Sequence, residues 1–122
     1  MFARKIISSG FAAVTLGYAA LISAAPAQAD YGPDTCRNGY VWREAYPGDR
    51  VCVTPQQRAR ARADNGQADV RRSASGGAYG ADTCRQGYVW REAYAGDHVC
   101  VTPAERRRAR WDNGHAEERY RY

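Results

Sequence analysis

The chain has 122 residues, a formal net charge of +5 at pH 7 and 44% hydrophobic residues. Every Leu, Ile, Phe, Met and Lys lies within the first 29 residues. From Asp30 onward the chain carries 16 Arg against 13 Asp and Glu, and its sizeable apolar residues are seven Val, eight Tyr, three Trp and four Cys. This composition excludes a large aliphatic core, and therefore a multi-domain enzyme with a deeply buried site.

The first 29 residues have the pattern of a secretory signal peptide. Arg4 and Lys5 precede an uncharged apolar stretch over residues 6–22, and a small-x-small pattern ends at Ala29. We predict cleavage between Ala29 and Asp30. A membrane anchor is disfavoured because the stretch is short for the roughly 20 apolar residues of a span. The chain is therefore expected to be secreted or periplasmic, in an oxidising compartment, with no transmembrane span after cleavage.

An internal repeat organises the rest of the chain. Residues 31–66 align without gaps with residues 79–114 at an offset of 48, and 28 of these 36 positions are identical. We assign residues 30–66 to repeat module 1 and residues 79–114 to repeat module 2. Residues 67–78 are Ser-, Gly- and Ala-rich near their end and predict a flexible linker. Residues 115–122 form a charged tail that is expected to fray.

The elements of each module follow in the order strand, turn, strand, helix. Residues 40–46 are rich in Tyr, Val and Trp, which favour a strand. Pro47 and Gly48 occupy the central positions of a predicted type II turn. Residues 50–54, and residues 98–102 in the second copy, are predicted as the returning strands of a hairpin.

Each predicted helix has a clear start. Thr54 is an N-cap residue followed by Pro55 and Gln57, and Thr102 is followed in the same way by Pro103 and Glu105. A helix of about three turns does not hold alone in water, so it must dock on its hairpin. The predicted fold class is small α+β, with two tandem disulfide-stapled hairpin-plus-helix repeats. The modules either pack together or form two separate beads, and the oligomeric state stays open.

The four cysteines recur at the repeat offset, as Cys36, Cys52, Cys84 and Cys100. Three pairings are possible, and duplication favours Cys36–Cys52 and Cys84–Cys100 because one copy had to close before it was doubled. A loop of roughly 17 residues contributes about 3 kcal/mol in the chain-entropy picture. A zinc site or a redox pair is disfavoured, because no Cys-x-x-Cys occurs and His is not repeated. We expect no metal and no cofactor.

Both copies carry the string Asp-Thr-Cys-x-x-Gly-Tyr-Val-Trp-Arg-Glu-Ala, then Gly-Asp-x-Val-Cys-Val-Thr-Pro, and then an Arg/Ala-rich stretch. This string resembles a short module that occurs in tandem in secreted bacterial proteins. The resemblance covers residues 34–65 and 82–113. It implies export and a modular architecture, and it implies no catalytic residues.

Aromatic residues are the first candidate ligand contacts. On an extended strand, alternate residues of the segment 40–46 share one face. Such rows of rings can stack on sugar rings, and the candidates are Tyr40, Trp42, Tyr46, Tyr88, Trp90 and Tyr94. The alternative is that these rings form the core, since large apolar residues are normally buried where they can be.

Arginines of the predicted helices are the second candidates. Residues four apart share a helix face, and the candidate polyanion contacts are Arg58, Arg62, Arg106, Arg107, Arg108 and Arg110. Two alternatives compete: GC-rich codon usage, and arginines that lie over Trp42 or Trp90 as cation–π lids. No nucleic-acid motif is present, so we expect no specific nucleic-acid partner.

Carboxylates near the turns are poor candidates for catalysis. Glu44 lies near Asp49, and Glu92 near Asp97, but a small hairpin offers no cleft for a two-carboxylate mechanism. Arg43 and Arg91 are predicted as their surface ion-pair partners.

We expect a non-catalytic binding or structural module at the cell envelope or outside, with a glycan or cell-wall polymer as partner. Duplicated modules gain avidity for such repetitive partners. The alternative is an Arg-rich protein that binds polyanions or membrane surfaces.

Overall fold

The structure is a computed structural model that describes residues 30–122. The predicted signal peptide, with its cleavage site after Ala29, lies outside the described residues. Each repeat is a two-stranded antiparallel hairpin followed by one helix, which confirms the predicted small α+β fold. The elements are β1 (Val41–Trp42), β2 (Cys52–Val53), α1 (Pro55–Gln67), β3 (Val89–Trp90), β4 (Cys100–Val101) and α2 (Pro103–Gly114). Residues 30–122 contain no helix with the length and hydrophobicity that a membrane crossing requires.

The strands are shorter than the sequence predicts. Val41 pairs with Val53 and Trp42 with Cys52, and the amide of Arg43 adds a bond to the carbonyl of Val51 at 2.8 Å. Pairing ends there because the next residue, Glu44, has a φ of 57° and leaves the extended conformation. The side-chain alternation predicted over residues 40–46 therefore stops at this point.

The turn and the helix caps form as predicted. The amide of Asp49 donates to the carbonyl of Tyr46 at 3.0 Å, and Gly48 takes the positive φ of 90° that a type II turn requires. Thr54 Oγ1 accepts a hydrogen bond from the amide of Gln57 at 3.2 Å, and Thr102 does the same for Glu105. These contacts are local, which is why the sequence predicts them.

Each helix is tied to its own hairpin. The side-chain amide of Asn65 donates to the carbonyl of Ala45 at 2.9 Å, and Asn113 donates to Ala93 at the same distance. Both asparagines lie within their helices, and α1 continues past Asn65 to Gln67. The docking that a short helix needs is thus provided in part by a hydrogen bond to the segment after the first strand.

The disulfides link Cys36 to Cys52 and Cys84 to Cys100, which confirms the pairing within each repeat. Residues 30–122 contain no free cysteine. Disulfides in so small a chain indicate an oxidising environment. Each bridge fastens the segment before the hairpin to the second strand.

The core is small and partly ionic. Its fully buried residues include Val53 and Val101, packed with small alanines and the disulfides. Trp42 and Trp90 are only half-buried, so an aromatic core is not what this fold builds. Arg43 and Arg91 are 3% exposed, and their prediction as surface residues was wrong.

A buried Arg–Asp pair replaces the missing aliphatic core in each repeat. Arg43 Nε lies 2.7 Å from Asp49 Oδ2, and Arg43 Nη2 lies 3.1 Å from Oδ1. The same carboxylate accepts the backbone amides of Ala45 and Val51, at 2.9 and 3.2 Å. Arg91 and Asp97 repeat the arrangement. Such a pair is tolerated in the interior because its carboxylate oxygens are satisfied by hydrogen bonds.

The two segments that follow the helices lie against hairpin modules. In the predicted linker, the carbonyl of Arg71 accepts from the amide of Arg85 at 2.8 Å, and Ser73 donates to the carbonyl of Thr83 at 2.8 Å. In the predicted tail, the carbonyl of Arg119 accepts from Arg37 at 2.8 Å. The amide of Arg121 donates to the carbonyl of Thr35 at 2.7 Å. Both segments are thus held by backbone pairing with the residues that precede a hairpin, although their compositions predict a flexible linker and a frayed tail.

Two arginines, Arg71 and Arg119, anchor these segments, and we call them the clasp arginines. Arg119 Nη1 reaches the Asp112 carboxylate at 2.9 Å and the carbonyl of Cys52 at 3.1 Å. Its guanidinium also lies 5.0 Å from the ring centre of Tyr40. The C-terminal segment therefore packs against module 1.

Arg71 makes the equivalent contacts with module 2. It reaches Asp64 at 2.9 Å, the carbonyl of Cys100 at 3.2 Å and the ring of Tyr88 at 5.1 Å. The segment after each repeat thus places one arginine against the hairpin of the other repeat. The modules pack together and are not separate beads.

Alkaline pH is expected to destabilise the protein through Tyr94 and Tyr120. Burial raises the pKa of both hydroxyls above the usual value, so the native state keeps their protons more tightly than the unfolded state. The free energy of unfolding should therefore fall as pH rises above about 10, where the unfolded tyrosines ionise first. Chemical unfolding at about pH 8 and about pH 11 measures this loss. Tyr94→Phe should reduce it, and equal stability at both pH values would contradict the expectation.

Candidate ligand-binding grooves

An equivalent groove occurs in each repeat, built entirely from the residues of that repeat. The groove of repeat 1 has a volume of about 300 Å³ and is lined by Tyr31, Tyr40, Trp42, Glu44 and Arg58, among others. The groove of repeat 2 has a volume of about 410 Å³ and is lined by the equivalent residues Tyr79, Tyr88, Trp90, Glu92 and Arg106. The same groups therefore meet twice in the same arrangement.

An aromatic pair forms one wall of each groove. The ring of Tyr31 is tilted against Trp42 with centroids 4.7 Å apart, and Tyr79 lies 5.0 Å from Trp90. Trp42 Nε1 donates to the carbonyl of Asp34 at 2.8 Å, which fixes the indole. The tyrosines remain accessible, since Tyr31 is 57% exposed. The accessible ring surface is thus supplied by tyrosine and backed by tryptophan.

A different side chain covers the tryptophan ring in each repeat. Arg50 lies over Trp42 at 4.5 Å, whereas its counterpart His98 stacks on Trp90 at 3.8 Å. The sequence-based alternative placed helix arginines over Trp42 or Trp90, and it was wrong, because the arginine over Trp42 is Arg50. Arg50 comes from the hairpin and not from the helix.

Glu44 and Glu92 give the grooves their carboxylates. They are the two non-glycine residues with positive φ in residues 30–122, at 57° and 55°. Arg62 holds Oε1 of Glu44 at 2.9 Å, with Arg58 at 3.5 Å. The other oxygen, Oε2, makes no hydrogen bond within the described part of the chain. A left-handed glutamate costs about 1–2 kcal/mol, and such strain is concentrated at functional sites.

The structure divides the aromatic candidates. Tyr40 and Trp42 line the groove of repeat 1, and Tyr88 and Trp90 line that of repeat 2. Tyr46 and Tyr94 lie elsewhere: their rings contact each other between the repeats, 4.1 Å apart.

Sequence reasoning missed two tyrosines of the grooves, Tyr31 and Tyr79. Both precede a glycine at the repeat offset, and this recurrence was the available signal. They lie outside the predicted strands, so the strand pattern does not include them. Only the folded chain brings each one onto its tryptophan.

The helix arginines are mostly engaged by carboxylates. Arg58 and Arg62 both reach Glu44, and in repeat 2 Arg106 and Arg110 reach Glu92 at 3.4 and 3.1 Å. Each pair thus shares a helix face, as its spacing predicts. Arg108 lies 3.3 Å from Asp112. Arg107 is exposed and has no ion pair within residues 30–122.

A further concave surface of repeat 2 lies around an exposed indole ring, and we call it the Trp111 surface. Trp111 is 55% exposed and stacks on His115 with centroids 3.8 Å apart. Arg107 and Arg110 border it, around a volume of about 440 Å³. Repeat 1 has alanine at the positions of Arg107 and Trp111, so this surface has no equivalent there.

The carboxylates near the turns do not share a cleft. Glu44 lies in the groove, whereas Asp49 is buried and bound by Arg43. Glu92 and Asp97 are separated in the same way. Within residues 30–122, no group of three or more His, Cys, Asp or Glu side chains is arranged to hold a metal ion.

Comparisons with protein-family models, with curated proteins and with solved structures found no match to the chain. We therefore infer function from the geometry of residues 30–122. In that geometry the aromatic, acidic and basic groups of the groove occur twice, and the Trp111 surface occurs once.

Proposed function

We propose that the protein is an exported, non-catalytic binding module of the cell envelope or its surroundings, secreted or periplasmic. Each repeat binds one segment of a glycan or cell-wall polymer in its groove. The disulfides fit an oxidising compartment, and the basic and apolar start of the chain fits a cleaved export signal. No cofactor is needed for this role.

The observation that carries the proposal is the strained glutamate shared by both grooves. Glu44 and Glu92 adopt the same left-handed backbone conformation at equivalent positions, beside the same aromatic pair. Glycine would fit this conformation without strain. A glutamate there adds nothing to the hydrophobic core, because its side chain is exposed. A role in binding explains why a carboxylate stands where the backbone favours glycine.

The chemistry of the groove suits a sugar. The faces of a pyranose ring are lined by C–H groups and pack against aromatic rings such as Tyr31, whereas its hydroxyls need hydrogen-bond acceptors and donors. Glu44 Oε2 is an available acceptor, and Arg58 is an available donor beside it.

One observation, the Trp111 surface, supports the alternative that the protein binds polyanions. Of the six candidate arginines, four share the two carboxylates of Glu44 and Glu92, and Arg108 pairs with Asp112. Arg107 remains, beside the exposed ring of Trp111. An anionic polymer bound at this surface would contact repeat 2 alone, and its binding would fall steeply with salt.

Retention on purified cell wall tests the proposal. The purified protein should stay bound to cell-wall material through a wash at about 1 M salt, where charge interactions are screened beyond about 3 Å. The double variant Glu44→Gly/Glu92→Gly should bind about tenfold more weakly or worse, a loss of about 1.4 kcal/mol. Its free energy of unfolding should change by no more than about 1 kcal/mol per site, because relief of strain offsets the lost surface ion pairs.

The control is Gln56→Ala, which places the residue of repeat 2 at an exposed position of repeat 1. It should bind like the parent protein. A different result would identify binding of an anionic polymer at the Trp111 surface: the protein would be lost from the cell wall entirely at high salt, and Arg107→Ala would weaken its retention. If the protein were not retained on cell-wall material at any salt concentration, the glycan proposal would be contradicted.

A further inference from the structure

The two repeats are related by a pseudo-two-fold axis and not by translation. Tyr46 and its own repeat equivalent Tyr94 are in contact, with ring centroids 4.1 Å apart. A residue that touches its own counterpart marks the axis of an isologous interface, in which each side offers the same surface. A head-to-tail arrangement would bring together different surfaces.

The clasp contacts show the same reciprocity. Arg71, in the segment after repeat 1, reaches the carbonyl of Cys100 at 3.2 Å. Arg119, in the segment after repeat 2, reaches the carbonyl of Cys52 at 3.1 Å. The backbone pairing of the two segments repeats in the same way, with Arg72 opposite Cys84 and Tyr120 opposite Cys36. Contacts that exchange both partners arise from a two-fold relation.

This symmetry restricts how one polymer could use both grooves. A rotation of 180° maps a straight line onto itself only if the line is the axis or crosses the axis at a right angle. The grooves lie off the axis, because each is built from residues of one repeat. A line that crosses the axis at a right angle is reversed by the rotation. A polysaccharide strand has a reducing and a non-reducing end, so one straight strand cannot occupy both grooves in the same pose.

We propose that the protein bridges two separate strands of a polysaccharide and thereby cross-links them. This inference rests on the proposed function, and it replaces avidity along one strand by a link between strands. Each groove holds one strand segment through its aromatic pair and its glutamate. The clasp arginines and the Tyr46–Tyr94 contact join the two repeats. The distance between the two grooves therefore sets the distance between the two bound strands.

Soluble peptidoglycan glycan strands provide the probe. Binding is measured by isothermal titration calorimetry, and cross-linking by the growth of particle size in dynamic light scattering. The parent protein should raise particle size, with a maximum at intermediate protein-to-strand ratios and a decline when protein is in excess. Glu44→Gly and Glu92→Gly, each alone, should still bind strands through the intact groove but lose particle growth. Gln56→Ala should cross-link like the parent.

The outcomes separate the two proposals. Binding by the parent protein without particle growth would overturn the cross-linking inference and leave the proposed function intact. Undiminished particle growth with either single variant would also overturn it, because one groove would then suffice. Failure of the parent protein to bind strands at all would overturn the proposed function, and the inference with it.

Discussion

Replacing Asp49 by alanine is expected to lower the free energy of unfolding by about 3–5 kcal/mol, because the change leaves a buried guanidinium without its carboxylate. Asp49 is 1% exposed and Arg43 is 3% exposed. The same change removes the acceptor of the Ala45 and Val51 amides. A domain of this size has a net stability of only about 5–14 kcal/mol, so the loss is a large part of the total. Urea unfolding followed by Trp fluorescence measures it.

Two variants make this experiment specific. Asp97→Ala should cost about as much, since Asp97 binds Arg91 and two backbone amides in the same way. Asp69→Ala is the surface control, because the Asp69 carboxylate is 97% exposed and pairs only with Arg72. Such an exposed pair contributes about 0–1 kcal/mol. If Asp49→Ala and Asp69→Ala proved equally mild, the buried ion pair would not be a main source of stability.

Replacing Arg119 by alanine is expected to cost about 2–4 kcal/mol and to release the C-terminal segment. The change leaves Asp112, which is 1% exposed, with only the longer contact to Arg108 at 3.3 Å. The carbonyl of Cys52 also loses its side-chain donor. Amide hydrogen exchange should therefore speed up at Arg37 and Arg121, whose amides pair the tail with module 1.

Arg71→Ala and Arg121→Ala serve as companions to this variant. Arg71→Ala should cost a similar amount, with faster exchange at Arg85 in place of Arg37. Arg121→Ala should have little effect, because the Arg121 side chain is exposed at the end of the chain. Protection of the Arg37 amide that survives Arg119→Ala would show that backbone pairing alone holds the tail.

Local features were predictable from the sequence with good accuracy. The cap at Thr54, the turn around Gly48 and the intra-repeat disulfides are confirmed. Each cap and turn depends on a side chain and backbone groups within about four residues of one another. The disulfide pairing followed from the duplication. The predicted strands were too long, because residue type does not indicate that Glu44 takes the left-handed conformation.

The grooves were predictable only in part. Tyr40 and Trp42 were candidates and line the groove, whereas Tyr46 turned out to lie on the pseudo-two-fold axis. A strand pattern assigns all three to one face, but it does not include the change of direction at Glu44. Tyr31 enters the groove from outside the hairpin, so no periodicity within the strands could include it.

The sequence by itself determined the repeat, the hairpin-plus-helix unit, the helix caps and the disulfide pairing, because these depend on composition and on neighbours close along the chain. The tertiary structure alone decided which charges are buried and how the repeats join. Arg43 and Asp49 become a core pair only when folding removes both from water. Arg71 and Arg119 are equivalent residues beyond the point where the obvious repeat ends. Their shared role depends on partners in the opposite repeat, and such long-range contacts follow from packing and not from local propensity.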